Sequence, residues 1–224
     1  ARRLAGRLPR TIHYHQEENT LVARRSAVDH LSSALTQEEC GTSSMDDPVT
    51  QIVAAQENGD HQRALTLFQE NGGIYFIHFH GNDACLDVLN RFPKAMVDTE
   101  ETLTMALAMH ALKAGNVTHA RYLMAQHFGD EMHSLETVIS ARGRYPLAVR
   151  QFRFLMAIYE DQPISNQLRE KLFDMLAELP IDDHLHRGSF YNAMLAVCLQ
   201  RRELNEAEEI AKRALYHYQQ AQAH

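Results

Sequence analysis

The sequence predicts an all-α protein, a right-handed superhelix of antiparallel helix pairs that forms a tetratricopeptide-like (TPR-like) α-solenoid. Three observations predict it. Punctuating residues are scarce, with 10 Gly and 6 Pro in 224 residues, whereas strand-rich folds need a turn roughly every eight to twelve residues. The good helix formers Ala, Leu, Glu, Gln, Met and Arg are abundant. A junction in which a helical stretch runs into a glycine, with an alanine five residues later, recurs along the chain.

Taken in order, residues 1–46 read as an N-terminal helical segment or junction and residues 47–224 as the TPR-like helical-repeat domain. In the first part, Leu21, Val22, Val28, Leu31 and Leu35 give Glu17–Glu39 a helical apolar spacing. Gly41-Thr42-Ser43-Ser44 is a break, and Asp46-Asp47-Pro48 reads as an N-cap followed by a first-turn proline. Beyond it, helices are predicted over Val49–Asn58, His61–Asn71, Asp83–Arg91, Glu100–Ala114 and Val117–His127. Five more are predicted over Ser134–Arg142, Pro146–Asp161, Ser165–Leu179, Gly188–Arg201 and Leu204–Gln220.

The junctions are Gly59 leading to Ala64, Gly115 to Ala120, Gly143 to Ala148, and Arg202, in the glycine's place, to Ala207. A left-handed residue ends the first helix, and a small residue one turn into the second lets the two pack closely. The Gly115–Gly143 interval is about half as long as those on either side. A degenerate hairpin is therefore expected inside each long interval, built from Ile74–Phe79 with Gly81–Phe92, and from Ser165–Leu179. The resulting period of about 28 to 34 residues approaches that of tetratricopeptide-type repeats.

The net charge of −7 and pI near 6.0 oppose a nucleic-acid-binding face, which needs clustered basic residues. Arg2, Arg3, Arg7 and Arg10 are the one basic cluster, read as a solvated tail or junction, with a short basic arm as the alternative. Cys40, Cys85 and Cys198 are odd in number and widely spaced, so neither a disulfide framework nor a zinc module is indicated. With no apolar run near the ~18 residues that span a bilayer, a soluble protein in a reducing cytoplasm is expected.

The stretch AAQENGDHQRALTLFQENGGIYFIHFHGNDACLDVLNRFP, followed by ALKAGNVTHARYLM, resembles the sensor region of MalT-type LuxR-family transcriptional activators. The elements that carry the resemblance are Gly59-Asp60, Ala64, Gly72-Gly73 through Gly81, Leu86-Val88-Leu89 and Phe92-Pro93. In ELPIDDHLHRGSFYNAMLAVCLQRRELNEAEEIAKRAL, the order Leu179-Pro180, Asp182-Asp183, Arg187-Gly188 is similar to the family's later repeats. The resemblance runs from about Pro48 to the end of the chain. It implies a superhelical arm that binds a small-molecule inducer or regulatory protein and relays it to an ATP-binding switch domain and a helix-turn-helix. The chain itself holds neither a GxxxxGK[ST] phosphate loop nor a reading head.

Fourteen histidines raise the question of metal. His13/His15 and His78/His80 would share a face in a strand and diverge in a helix, and His184/His186 form a similar loop pair. No acidic or cysteine partner sits at a supporting spacing, so no metal, cofactor or catalytic site is expected. Asp46-Asp47 and Asp182-Asp183 read as helix caps, and Cys198, among Leu195, Val197 and Leu199, as core.

Superhelical arrays meet ligands on the concave groove lined by the first helices of the pairs. Arg150 and Arg153, interleaved with Phe152, Phe154 and Tyr159, are candidate groove residues, with Arg187, Tyr191 and Asn192 as candidate effector or partner contacts. The competing reading has Phe190 and Tyr191 filling the interface between neighbouring hairpins. The expected function is a non-catalytic effector- and partner-binding sensor domain. The alternative is a free-standing TPR-like adaptor that clamps a peptide or protein.

Overall fold

A computed structural model describes residues 47–221. The segment expected over 1–46, with its helix, basic cluster, His13/His15 pair and Cys40, lies outside the described residues. Among those described, the protein is all-helical, with twelve α-helices and two 3-10 turns and no strand. None of these helices is long and apolar enough to cross a membrane.

The first hairpin pairs α1 (Pro48–Glu57) with α2 (His61–Glu70). Asp47 caps α1, its carboxylate accepting the Thr50 backbone N–H at 3.1 Å, with Pro48 in the first turn. A 3-10 turn (Gly73–Tyr75) leads into α3 (Phe76–His80), α4 (Asn82–Asn90) and α5 (Lys94–Thr99). Next come α6 (Glu101–Lys113) and α7 (Val117–Phe128), a second packed hairpin. A 3-10 turn (Asp130–His133) precedes α8 (Leu135–Ser140), α9 (Leu147–Tyr159) and α10 (Asn166–Glu178). The long pair α11 (His184–Gln200) and α12 (Leu204–Gln220) closes the described chain.

Four helix ends share one hydrogen-bond pattern. The amides of Gly59, Gly115, Asp161 and Arg202 each bond the carbonyl three residues back, at 3.0–3.1 Å. The next amide along, at Asp60, Asn116, Gln162 and Glu203, reaches five residues back at 2.8–3.0 Å. This pair of hydrogen bonds satisfies the last carbonyls of a helix and requires a left-handed residue. All four have positive φ: 74° and 77° at the glycines, 53° at Asp161 and 61° at Arg202. Arg202 thus stands in a glycine's place as expected. Ala64 and Ala120 are fully buried and Ala207 nearly so, letting the paired helices approach closely.

Gly143 departs from the expectation. Helix α8 ends at Ser140, so Gly143 falls mid-turn without a left-handed conformation, and Ala148 is only partly buried. The junction that the pattern missed is Asp161, whose aspartate tolerates the left-handed region better than most residues and so leaves no glycine to read. Helix α11 also starts four residues before the expected Gly188, because the Asp183 side chain accepts the His186 N–H at 3.2 Å and opens the helix there. His78 and His80 lie in α3 rather than a strand, so their side chains diverge.

The core runs the length of the described chain. Phe68 packs on Phe76 and Phe92 at 4.8 and 6.2 Å between ring centres. Leu103, Met109, Met124 and Met132 fill the middle, and Phe154, Leu172, Phe190 and Val197 the last third. Cys85 and Cys198 are buried free thiols. Helix α9 packs against α6, α8, α10 and α11. It is therefore the hub on which the later helices converge.

Candidate functional site

The predicted site residues come from α9 and α11, and the structure buries Arg150, Arg153, Tyr191 and Asn192 and leaves Arg187 half-buried. Arg150 is 3% exposed. Its Nε donates to the Tyr145 carbonyl at 3.3 Å, and its two terminal nitrogens grip the Glu178 carboxylate. That grip, with Arg142 at 3.1 Å, holds the Glu178 carboxyl below the usual range. Arg153 is fully buried, donating to the Met132 carbonyl at 2.6 Å and to Glu160 at 2.9 Å. Desolvation lowers its pKa, and Glu160 offsets this. The other Glu160 oxygen takes Arg121 Nε at 3.0 Å, so one buried carboxylate joins α7 to α9. These two guanidiniums tie helices together.

Arg187 is half-buried and donates to the Leu179 carbonyl at 2.9 Å. Tyr191 is 5% exposed; its ring stacks on His217 at 5.5 Å and meets Phe190 edge-on at 5.9 Å. Phe190 lies against Phe154 and Phe173. Both aromatics fill the space between helices.

Asn192 belongs to a polar centre assembled from four elements. Tyr75 enters from the first 3-10 turn, Gln151 from α9, Ser189 and Asn192 from α11, and Tyr218 from α12. Gln151 Nε2 donates to the His186 carbonyl at 2.6 Å and reaches the Tyr75 hydroxyl at 3.5 Å. The Ser189 side chain lies beside the hydroxyls of both Tyr75 and Tyr218, and Asn192 beside that of Tyr218. Burial pushes both phenols up. Gly188 makes room for the Tyr218 ring: a Cβ there would sit 2.9 Å from it. Two amide oxygens, Gln151 Oε1 and Asn192 Oδ1, are buried without a hydrogen-bond partner. Such groups cost about 1–3 kcal/mol each.

Sequence reasoning found Asn192 and missed the rest, because Tyr75 and Tyr218 lie far apart in sequence and carry no local signal. The Gln151–His186 bond, made by a backbone carbonyl, was equally invisible.

A second feature is a solvent-open cavity of about 440 Å³ on α7 and the following turn, lined by Thr118, Arg121, Tyr122, Gln126, Asp130 and His133. Tyr122 projects there with 60% of its surface exposed. Among the described residues, Cys198, Glu203 and Glu206 bring together donor atoms of the kind that bind metal. Arg169 bonds both carboxylates, and burial, reinforced by Glu206, pushes the thiol up. Both carboxylates are already engaged.

The fold and site define an all-helical protein of packed hairpins with a polar centre at its interior. No family model, curated protein or solved structure matches the chain.

Proposed function

We propose that this chain is a non-catalytic, effector- or partner-binding sensor domain of a transcriptional regulator of the MalT-like LuxR kind, its hairpins wound into a right-handed, TPR-like superhelix. The observation that carries this reading is the hairpin junction at Gly59, Gly115, Asp161 and Arg202, made each time with the same pair of backbone hydrogen bonds. Repetition of one closing device is how helical arrays are built. Two of the four sites, Gly59-Asp60 and Gly115-Asn116, lie in the stretches that carry the resemblance.

The effector site of this reading is the polar centre around Asn192. A small inducer with N–H or O–H donors would satisfy Gln151 Oε1 and Asn192 Oδ1, with Tyr191 and Arg187 at its border. Arg150 and Arg153 support it by holding α9 in place. Binding would shift the population toward the arrangement that the other domains recognise. This reading places the protein in the cytoplasm and requires no nucleic-acid contact from this segment.

Reading the gene through both ends of the segment tests it. A phosphate-binding loop upstream and a helix-turn-helix downstream are expected, and stop codons close to both ends would overturn the regulator reading. In that case the adaptor reading takes over, favoured by the open cavity at Tyr122 and Arg121, since exposed Tyr and Arg side chains anchor protein partners.

A further inference from the structure

We propose that His184 and His217 form a proton-operated latch that holds the last turns of α12 on the start of α11 and releases them on acidification. The Nδ1 atoms of the two rings are 2.9 Å apart and their ring centres 5.2 Å apart. Rings so placed lie end to end, as an N–H···N hydrogen bond requires. Two imidazoles on one metal ion would instead converge on a third point. In the neutral pair one ring donates and the other accepts. When both are protonated, N–H faces N–H and two cations share the contact, so it must open.

The surroundings sharpen the response. From α11, Arg187 adds positive charge beside the pair and Tyr191 stacks flat on His217, with 14° between the ring planes. From α12, Tyr216 lies against both rings, and Arg213 stands over Tyr191 at 5.9 Å. The carboxylate at this corner, Asp183, is engaged by His186 Nδ1 at 2.9 Å, and His186 in turn meets Tyr75 edge-on. Desolvation first, then Arg187 and His184, hold the His217 ring below the usual histidine range. The residue next to His217 is Tyr218, whose ring closes the polar centre over Gly188. Releasing this turn uncovers Ser189, Asn192 and Gln151, so the latch governs access to the interior.

Hydrogen exchange on the whole chain at pH 7.5 and 5.5, corrected for the intrinsic rate, tests the latch. Amides of residues 212–221 are expected to lose about tenfold or more of their protection at the lower pH. The α6–α7 hairpin should keep its protection. In His217→Gln and His184→Gln the contrast between the two pH values should vanish. Equal protection of the parent at both pH values overturns the proposal, as does a contrast that persists in both variants. Should the variants fail to fold, ring-resonance titration of the parent decides. Coupled titration of the two rings supports the latch, and two independent titrations near about 6.5 refute it.

Discussion

Replacing Glu160 by Gln tests a deeply buried ion pair. Arg153 and Glu160 have side chains 0% and 2% exposed, joined at 2.9 Å. The amide keeps the shape of the carboxylate and loses its charge, leaving the Arg153 guanidinium buried with only carbonyl and amide acceptors. Breaking a buried pair from one side costs about 3–5 kcal/mol, against a net stability of about 5–15 kcal/mol for a folded domain. With a urea dependence of about 2 kcal/mol per molar, the unfolding midpoint should fall by roughly 1.5–2.5 M. Circular dichroism at 222 nm during urea titration reads this directly. The double variant Arg153→Met with Glu160→Leu removes both charges. It should recover about 1–2 kcal/mol relative to the single change, although it strands the Met132 carbonyl. A loss below about 1 kcal/mol for Glu160→Gln, or a double variant no better than the single, would refute the assignment of a buried Arg153–Glu160 pair, with the half-exposed Arg121 on its outer side.

Arg202 holds a left-handed backbone at φ 61°, so Arg202→Gly should raise stability by about 0.5–1 kcal/mol, read as a higher melting temperature. Gly188→Ala drives a methyl to 2.9 Å from the Tyr218 ring and should cost about 1–3 kcal/mol by the same measurement. Phe154→Ala, in a fully buried position against Phe190, should cost about 3–5 kcal/mol in urea unfolding. His78 is pushed down to about 3, mainly by burial. Its neutral form contributes stability that is fully present above about 6.5 and lost as pH falls through the window from 6.5 toward 3. Stability should therefore decline in that window by at most about 1.4 kcal/mol per pH unit from this residue. Comparison of urea midpoints for the parent and His78→Gln should show a shallower decline in the variant.

Helices were legible where a cap or a periodic apolar face marked them, as at Asp47 for α1 and along Leu204–Gln220. The short elements Gly73–Tyr75, Phe76–His80, Lys94–Thr99 and Asp130–His133 lack a full apolar period, and packing against their neighbours decides them. The Asp161 junction hid because its left-handed residue is not glycine.

By itself the sequence determined that this protein is helical, where most of its helices start and stop, and that hairpins close at Gly59, Gly115 and Arg202. Those properties rest on hydrogen bonds and side chains within a few residues of one another. Only the tertiary structure decided that Arg150 and Arg153 tie helices together inside the protein, that His184 meets His217 rather than His186, and that Tyr75, Gln151, Asn192 and Tyr218 form one centre. Each of those outcomes depends on which helix faces crossed in space, a property shared between distant segments that no local pattern encodes.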